Sequence, residues 1–218
     1  MTGRQVIEFT LFAIGKLTKA TLDIDDFMLR SSLLEIQVLY WMPLPGCSDE
    51  TLRRNLTRTF CTSESLVKLA LDLQSQSGFL SHAPHYVFRS LLLAGSAIIS
   101  YLRSPYQGAG SAPPGGSDLL MRDMVLALKS CSVQADDLPT RGSALVEAYW
   151  SVRDRLPPWD ASQLRPADFK HRLGAALVYD CLGRWKKDMD STRNPGGISA
   201  PGGGPTEAYG GEHCHELS

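Results

Sequence analysis

The sequence predicts an all-α fold, a compact bundle of six or seven helices, and three observations carry that reading. Apolar residues recur at helical spacing in segments separated by proline and glycine stops. No run shows the period-two alternation of a half-buried strand. Of 218 residues, 43% are hydrophobic and 21% charged, enough for a core and too apolar for wholesale disorder. The bundle is expected over residues 1–190 as one domain, with a mobile loop at 104–117 and a disordered tail at 191–218. Lys and Arg number 22 against 23 Asp and Glu, a net charge of −1. That balance excludes an autonomous nucleic-acid binder, which needs a basic surplus to neutralise phosphates.

Each element has a local reason. Met1–Leu17 faintly resembles a signal peptide, but Glu8 and Lys16 bracket only seven uncharged residues, too few for an export segment. Asp23, Asp25 and Asp26 are expected just before a helix over Phe27–Met42, as partners of its positive end. That helix is apolar nearly all round and must be buried; Pro43-Leu44-Pro45-Gly46 stops it. Ser48 is a candidate N-cap, with Asp49 and Glu50 in the first turn of a segment reaching Ser77. Leu52, Leu56, Phe60, Val67, Ala70 and Leu71 form its apolar side, while Thr62-Ser63-Glu64 marks a candidate break into two helices. Gly78 is the expected stop.

Phe79–Leu102 is expected to supply the central helix, regular from near Pro84, with Leu92 and Ile98 in the core. Its uncharged part, Ser90–Leu102, has 13 residues, short of the roughly 20 a bilayer needs, so a core helix is the better reading than a membrane span. The 104–117 stretch holds seven Gly or Pro. Asp118–Val133 resumes helix through Leu120, Met124, Ala127 and Leu128. Asp136-Asp137-Leu138-Pro139 breaks it, and Thr140 is expected to cap the next helix, which runs to about Leu156 before Pro157-Pro158. The last helix is placed at Ala167–Met189, with Phe169, Leu173, Ala176, Leu177, Cys181 and Trp185 inward. From Ser191 on, seven Gly and three Pro leave too little apolar surface to offset ordering entropy.

Motifs that carry chemistry are thin. Asp23-Ile24-Asp25-Asp26 matches an acid string that protonates terpenes, but the large helical barrel that this chemistry uses does not fit in the chain. Gly110–Ser117 has the glycine spacing of a phosphate-binding loop, with Gly116 where its lysine belongs and no strand before it. His213-Cys214-His215 beside Glu212 has no second cluster to complete a tetrahedral metal site. His82 and His85 flank Pro84 as capping or packing residues. Cys47, Cys61, Cys131, Cys181 and Cys214 form no CxxC pair and read as reduced, intracellular thiols. Asn55-Leu56-Thr57 is a glycosylation sequon, meaningful only in a secreted chain. Arg53, Arg54 and Arg58, with Arg30 upstream, form a small basic face, either solvated or in contact with an acidic partner. No catalytic, cofactor-binding, metal or DNA-binding residue emerges, and no enzyme activity is expected.

A family resemblance adds to this. Its first stretches are Asp26–Leu34 leading into Tyr40-Trp41, Thr62–Leu73 and Phe79–Arg89. Asp137–Gly142 and His171–Leu182 follow. In that order and spacing they resemble the C-terminal part of the helical regulatory (middle homology) region of fungal zinc-cluster transcription factors, over about residues 20–190. The resemblance implies a regulatory module of transcription in a nucleus. It would act through partners in the transcription machinery, a DNA-binding subunit or a small-molecule effector. The family's six-cysteine zinc cluster has no counterpart here, so no DNA-contacting or zinc-ligating residue carries over. The chain is expected not to contact DNA or membrane itself, and it looks like a truncated or separately encoded regulatory half. The alternative is a helical small-molecule-binding protein or scaffold; the oligomeric state stays open.

Overall fold

The computed structural model describes residues 3–41, 48–107, 116–156, 158–160 and 173–193, with side chains from residue 21 and, in the last helix, for 178–190. Among them are six α-helices and no strand. They are α1 (Gly3–Leu39), α2 (Asp49–Ser77), α3 (His85–Leu102), α4 (Gly116–Ser130), α5 (Leu138–Ser151) and α6 (Leu173–Arg193).

α1 differs most from expectation. It begins at Gly3 rather than Phe27, so Asp23, Asp25 and Asp26 sit inside the helix and not before it. The physical reason is that no proline interrupts residues 3–39, and Asp26 pairs with Arg30 one turn on, at 2.8 Å. It ends at Leu39, with Tyr40 and Trp41 in the following turn rather than in a helix reaching Met42. α2 is unbroken. The Ser65 hydroxyl donates to the Thr62 carbonyl and Glu64 pairs with Lys68 at 2.7 Å, so these polar groups are satisfied within the helix. Ser48 caps α2 by accepting from the Thr51 N–H, as expected. Gly78 closes it in the left-handed region at φ 68°, where a side chain would be strained.

Phe79–His82 forms a separate 3-10 turn, and Pro84 leads into α3, so the central helix is shorter than Phe79–Leu102. Asp137, not Thr140, caps α5: its carboxylate accepts from the Thr140, Val133 and Gln134 N–H groups, at 2.9, 2.9 and 3.2 Å. Those three bonds hold the Asp137 carboxyl well below the usual carboxylate range. α4 ends at Ser130, before Val133, and α5 at Ser151, where a 3-10 turn at Arg153–Arg155 replaces the expected helix to Leu156. α6 runs past Met189 to Arg193. Phe169, the 108–115 part of the expected loop and the tail from 194 lie outside the described residues, as do the side chains of Leu173, Ala176 and Leu177.

Packing follows from α3. It touches each of the other five helices, and fourteen of its residues are buried. Small residues allow this: a Cβ added to Gly95 would lie 3.2 Å from Met124 Cε of α4, and Ser100 Oγ lies 3.5 Å from Cys181 Sγ of α6. By length and composition α3 could cross a membrane, but 78% of it is buried by the rest of the fold. α1 and α2 run antiparallel, tied by Trp41–Thr59 at one end and the edge-on Phe27–Phe79 rings at the other. α6 docks through Trp185, stacked 5.0 Å from Tyr149, while Asp188 accepts from the Tyr149 hydroxyl and the Trp159 indole. Cys181 and Trp185 are buried, as expected. The core is one continuous cluster with side chains from all six helices.

Candidate functional site

A groove of about 760 Å³ opens between α1, α3, α5 and α6, a size that suits a small organic ligand. Two helices build it with matched faces. His85, Phe88, Arg89 and Leu92 of α3 stand at i, i+3, i+4 and i+7, and Leu138, Arg141, Gly142 and Leu145 of α5 repeat that spacing. Val178, Tyr179 and Leu182 of α6 form a third wall, and Glu35 of α1 stands at the edge. Gly142 lets α5 approach α3, because a Cβ there would lie 3.2 Å from Phe88 Cζ. The bed is apolar and the rim polar: Glu35, His85, Arg89 and Arg141 are exposed. Neither Arg89 nor Arg141 has an ion pair among the described residues, so the rim carries two open guanidiniums against one carboxylate. That arrangement can hold an apolar molecule bearing an anionic group.

A smaller groove of about 450 Å³ lies between α4 and α5. Most of its charges are matched: Lys129 pairs with Glu147 at 2.8 Å, and Asp118 takes Arg153 at 2.9 Å and the Trp150 indole at 2.8 Å. Arg122 is the exception, exposed and without an ion pair among the described residues, so this groove has one open guanidinium where the larger groove has two.

The motifs singled out in the sequence do not converge. Asp23, Asp25 and Asp26 sit along α1 away from both grooves. The glycine loop and the His213–His215 tail lie outside the described residues, apart from Gly116 and Ser117, which open α4. Among the described residues no three His, Cys, Asp or Glu side chains group as a metal site. His82 is exposed at the end of its 3-10 turn, while the His85 ring packs 5.7 Å from Phe88 and lines the groove. The basic face is partly neutralised, since Arg53 pairs with Glu50 at 2.6 Å and Arg30 with Asp26 at 2.8 Å. Burial pushes the Cys131 thiol up to about 12, with Asp137 adding to it, and the Cys181 thiol up to about 11; both are inert at neutral pH. Arg89 and Arg141 went unnoticed in the sequence. The signal available was one arginine within a mostly apolar i, i+3, i+4, i+7 face on each of two helices, with His85 at the start of the first.

The chain matches no family model, no curated protein and no solved structure.

Proposed function

We propose that this chain is a helical regulatory module of the fungal zinc-cluster type, working in a nucleus through protein partners or a small-molecule effector without contacting DNA itself. The groove between α3, α5 and α6 is the effector site in this reading, and it is the observation that carries it. An apolar bed with two open guanidiniums suits recognition of a metabolite better than catalysis on one. The resemblance of residues 20–190 supplies the regulatory context. The charge distribution supports the lack of DNA contact: net charge is −1, and two of the four basic-face arginines are held by neighbouring carboxylates.

Fusing residues 1–218 to an unrelated DNA-binding module and measuring a reporter in a fungal nucleus tests this. Activation or repression is expected, and it should change when Arg141→Glu and Arg89→Glu reverse the rim charge. The unfused chain should shift no DNA in a gel. A reporter unchanged in both directions would leave the alternative, a ligand-binding protein outside transcription. Salt-sensitive, sequence-specific DNA binding by the unfused chain would refute the charge argument.

A further inference from the structure

The outward face of α1 carries an apolar stripe that the groove does not use. Leu22, Leu29, Leu33, Ile36 and Tyr40 are 63, 69, 44, 52 and 55% exposed. The spacings of Leu22, Leu29, Leu33 and Ile36 place them within about 60° of one another around the helix axis, and Tyr40 follows in the turn at the helix end. They lie roughly opposite the buried Phe27, Leu34 and Val38. Together with Asp26, they occupy the alternating three–four positions of a coiled-coil seam, on a helix 37 residues long. A single exposed leucine means nothing, but five large apolar residues on a face with no partner among the described residues mark a contact surface.

We propose that this stripe pairs with the same stripe of a second copy, antiparallel, about an axis near Ser31. Charge selects both the occupant and its direction. The stripe's first end carries the carboxylates of Asp23 and Asp25, beside Asp26, which is already paired with Arg30 at 2.8 Å. Its other end lies beside the first turns of α2, where Asn55 Nδ2 donates to the Tyr40 carbonyl at 3.2 Å. Those turns carry Arg54 and Arg58, both exposed and without an ion pair among the described residues. Antiparallel pairing lays each acidic end against the other copy's basic end. Leu22 then meets the second copy's Tyr40, Leu29 its Leu33, and Asp26 its Ile36 at the margin. A parallel pair would instead set the Asp23 and Asp25 ends side by side and bring Arg54 and Arg58 of the two copies together, like charge against like charge at both ends. The surface is thus self-complementary in one orientation only.

Analytical ultracentrifugation of the full chain over a concentration series tests the pairing. A monomer–dimer equilibrium is expected that weakens with added salt. Leu29→Glu with Leu33→Glu should give a monomer that melts like the unchanged chain at concentrations where that chain is itself monomeric, since both side chains face solvent. Arg54→Glu with Arg58→Glu should weaken the dimer at least tenfold, and adding Asp23→Lys and Asp25→Lys should restore it. Replacing Tyr40 with a benzoylphenylalanine photo-cross-linker should capture the segment around Leu22. A chain monomeric at every concentration, a dimer untouched by the leucine changes, or cross-links between the two copies' position 40 would overturn the proposal.

Discussion

The indole N–H of Trp41 donates to the hydroxyl of Thr59 at 3.1 Å, and both residues are buried. The Thr59 hydroxyl passes its own hydrogen to the Asn55 carbonyl at 2.8 Å. This short chain of bonds joins the turn after α1 to the second turn of α2 and its neighbour. Thr59→Val keeps the shape and orphans the indole, so it should cost about 1–3 kcal/mol in urea unfolding. Thr59→Ser keeps the acceptor and loses one methyl, about 1 kcal/mol. In the Trp41→Phe background the Val change should cost clearly less. Equal costs in both backgrounds would deny the bond any role.

Ile98 and Leu92 lie on the same helix and should part company. Ile98 is fully buried, so Ile98→Asp puts an unpaired charge into the core, at a cost of several kcal/mol against a total stability of roughly 5–15. That variant should be insoluble or molten. Leu92, expected in the core, is instead half-buried on the groove wall, because the groove opens over that face of α3. Leu92→Asp should fold, with a cooperative melting transition and no ligand binding. Two unfolded variants would mean that the groove is closed in solution.

The buried thiols give a test in alkali. Cys131 and Cys181 have folded-state values of about 12 and about 11 against an ordinary 9.0. A raised value means that the folded state keeps its proton where the unfolded state loses it. Their contribution is fully present below pH 9.0 and is lost as pH rises through about 11 and about 12. The double variant Cys131→Ala, Cys181→Ala should flatten the stability loss above pH 9.0. At pH 8, mass-mapped alkylation should mark the exposed Cys61 early and the partly buried Cys131 later, and leave Cys181 unmodified until the chain unfolds. Rapid labelling of Cys181 in the native protein would contradict its burial.

The groove should prefer acids to their neutral analogues. A fluorescent arylsulfonate is expected to bind and to be displaced by an alkylbenzoate better than by the matching benzamide. Arg89→Gln and Arg141→Gln should each weaken the acid about two- to fivefold, the range for exposed ion pairs, and leave the amide unchanged. Gly142→Leu should abolish both, since even a Cβ at that position comes within 3.2 Å of the Phe88 ring. Acid and amide competing equally would remove the guanidiniums from recognition.

Much of the architecture is local physics. Gly78 stops α2 because a left-handed turn suits a residue without Cβ, and Ser48 begins it because a hydroxyl can take an orphan N–H; both are legible in the residues themselves. The burial of α3 is legible in the same way, from an uncharged run too short for a bilayer and too apolar for a surface. The boundaries that moved are those where a neighbour decided. Asp137 outcompetes Thr140 because its carboxylate reaches three backbone N–H groups at once, and α1 runs through Asp23–Asp26 with no proline to stop it and with Arg30 one turn on to pair with Asp26. Composition and periodicity determined that the chain makes helices and which segments must be covered. Only the tertiary structure decided that Arg89 and Arg141, 52 residues apart, share a rim, and that the outer stripe of α1 stays uncovered. A helical period says that a face is apolar; what meets that face depends on contacts between residues far apart in the chain.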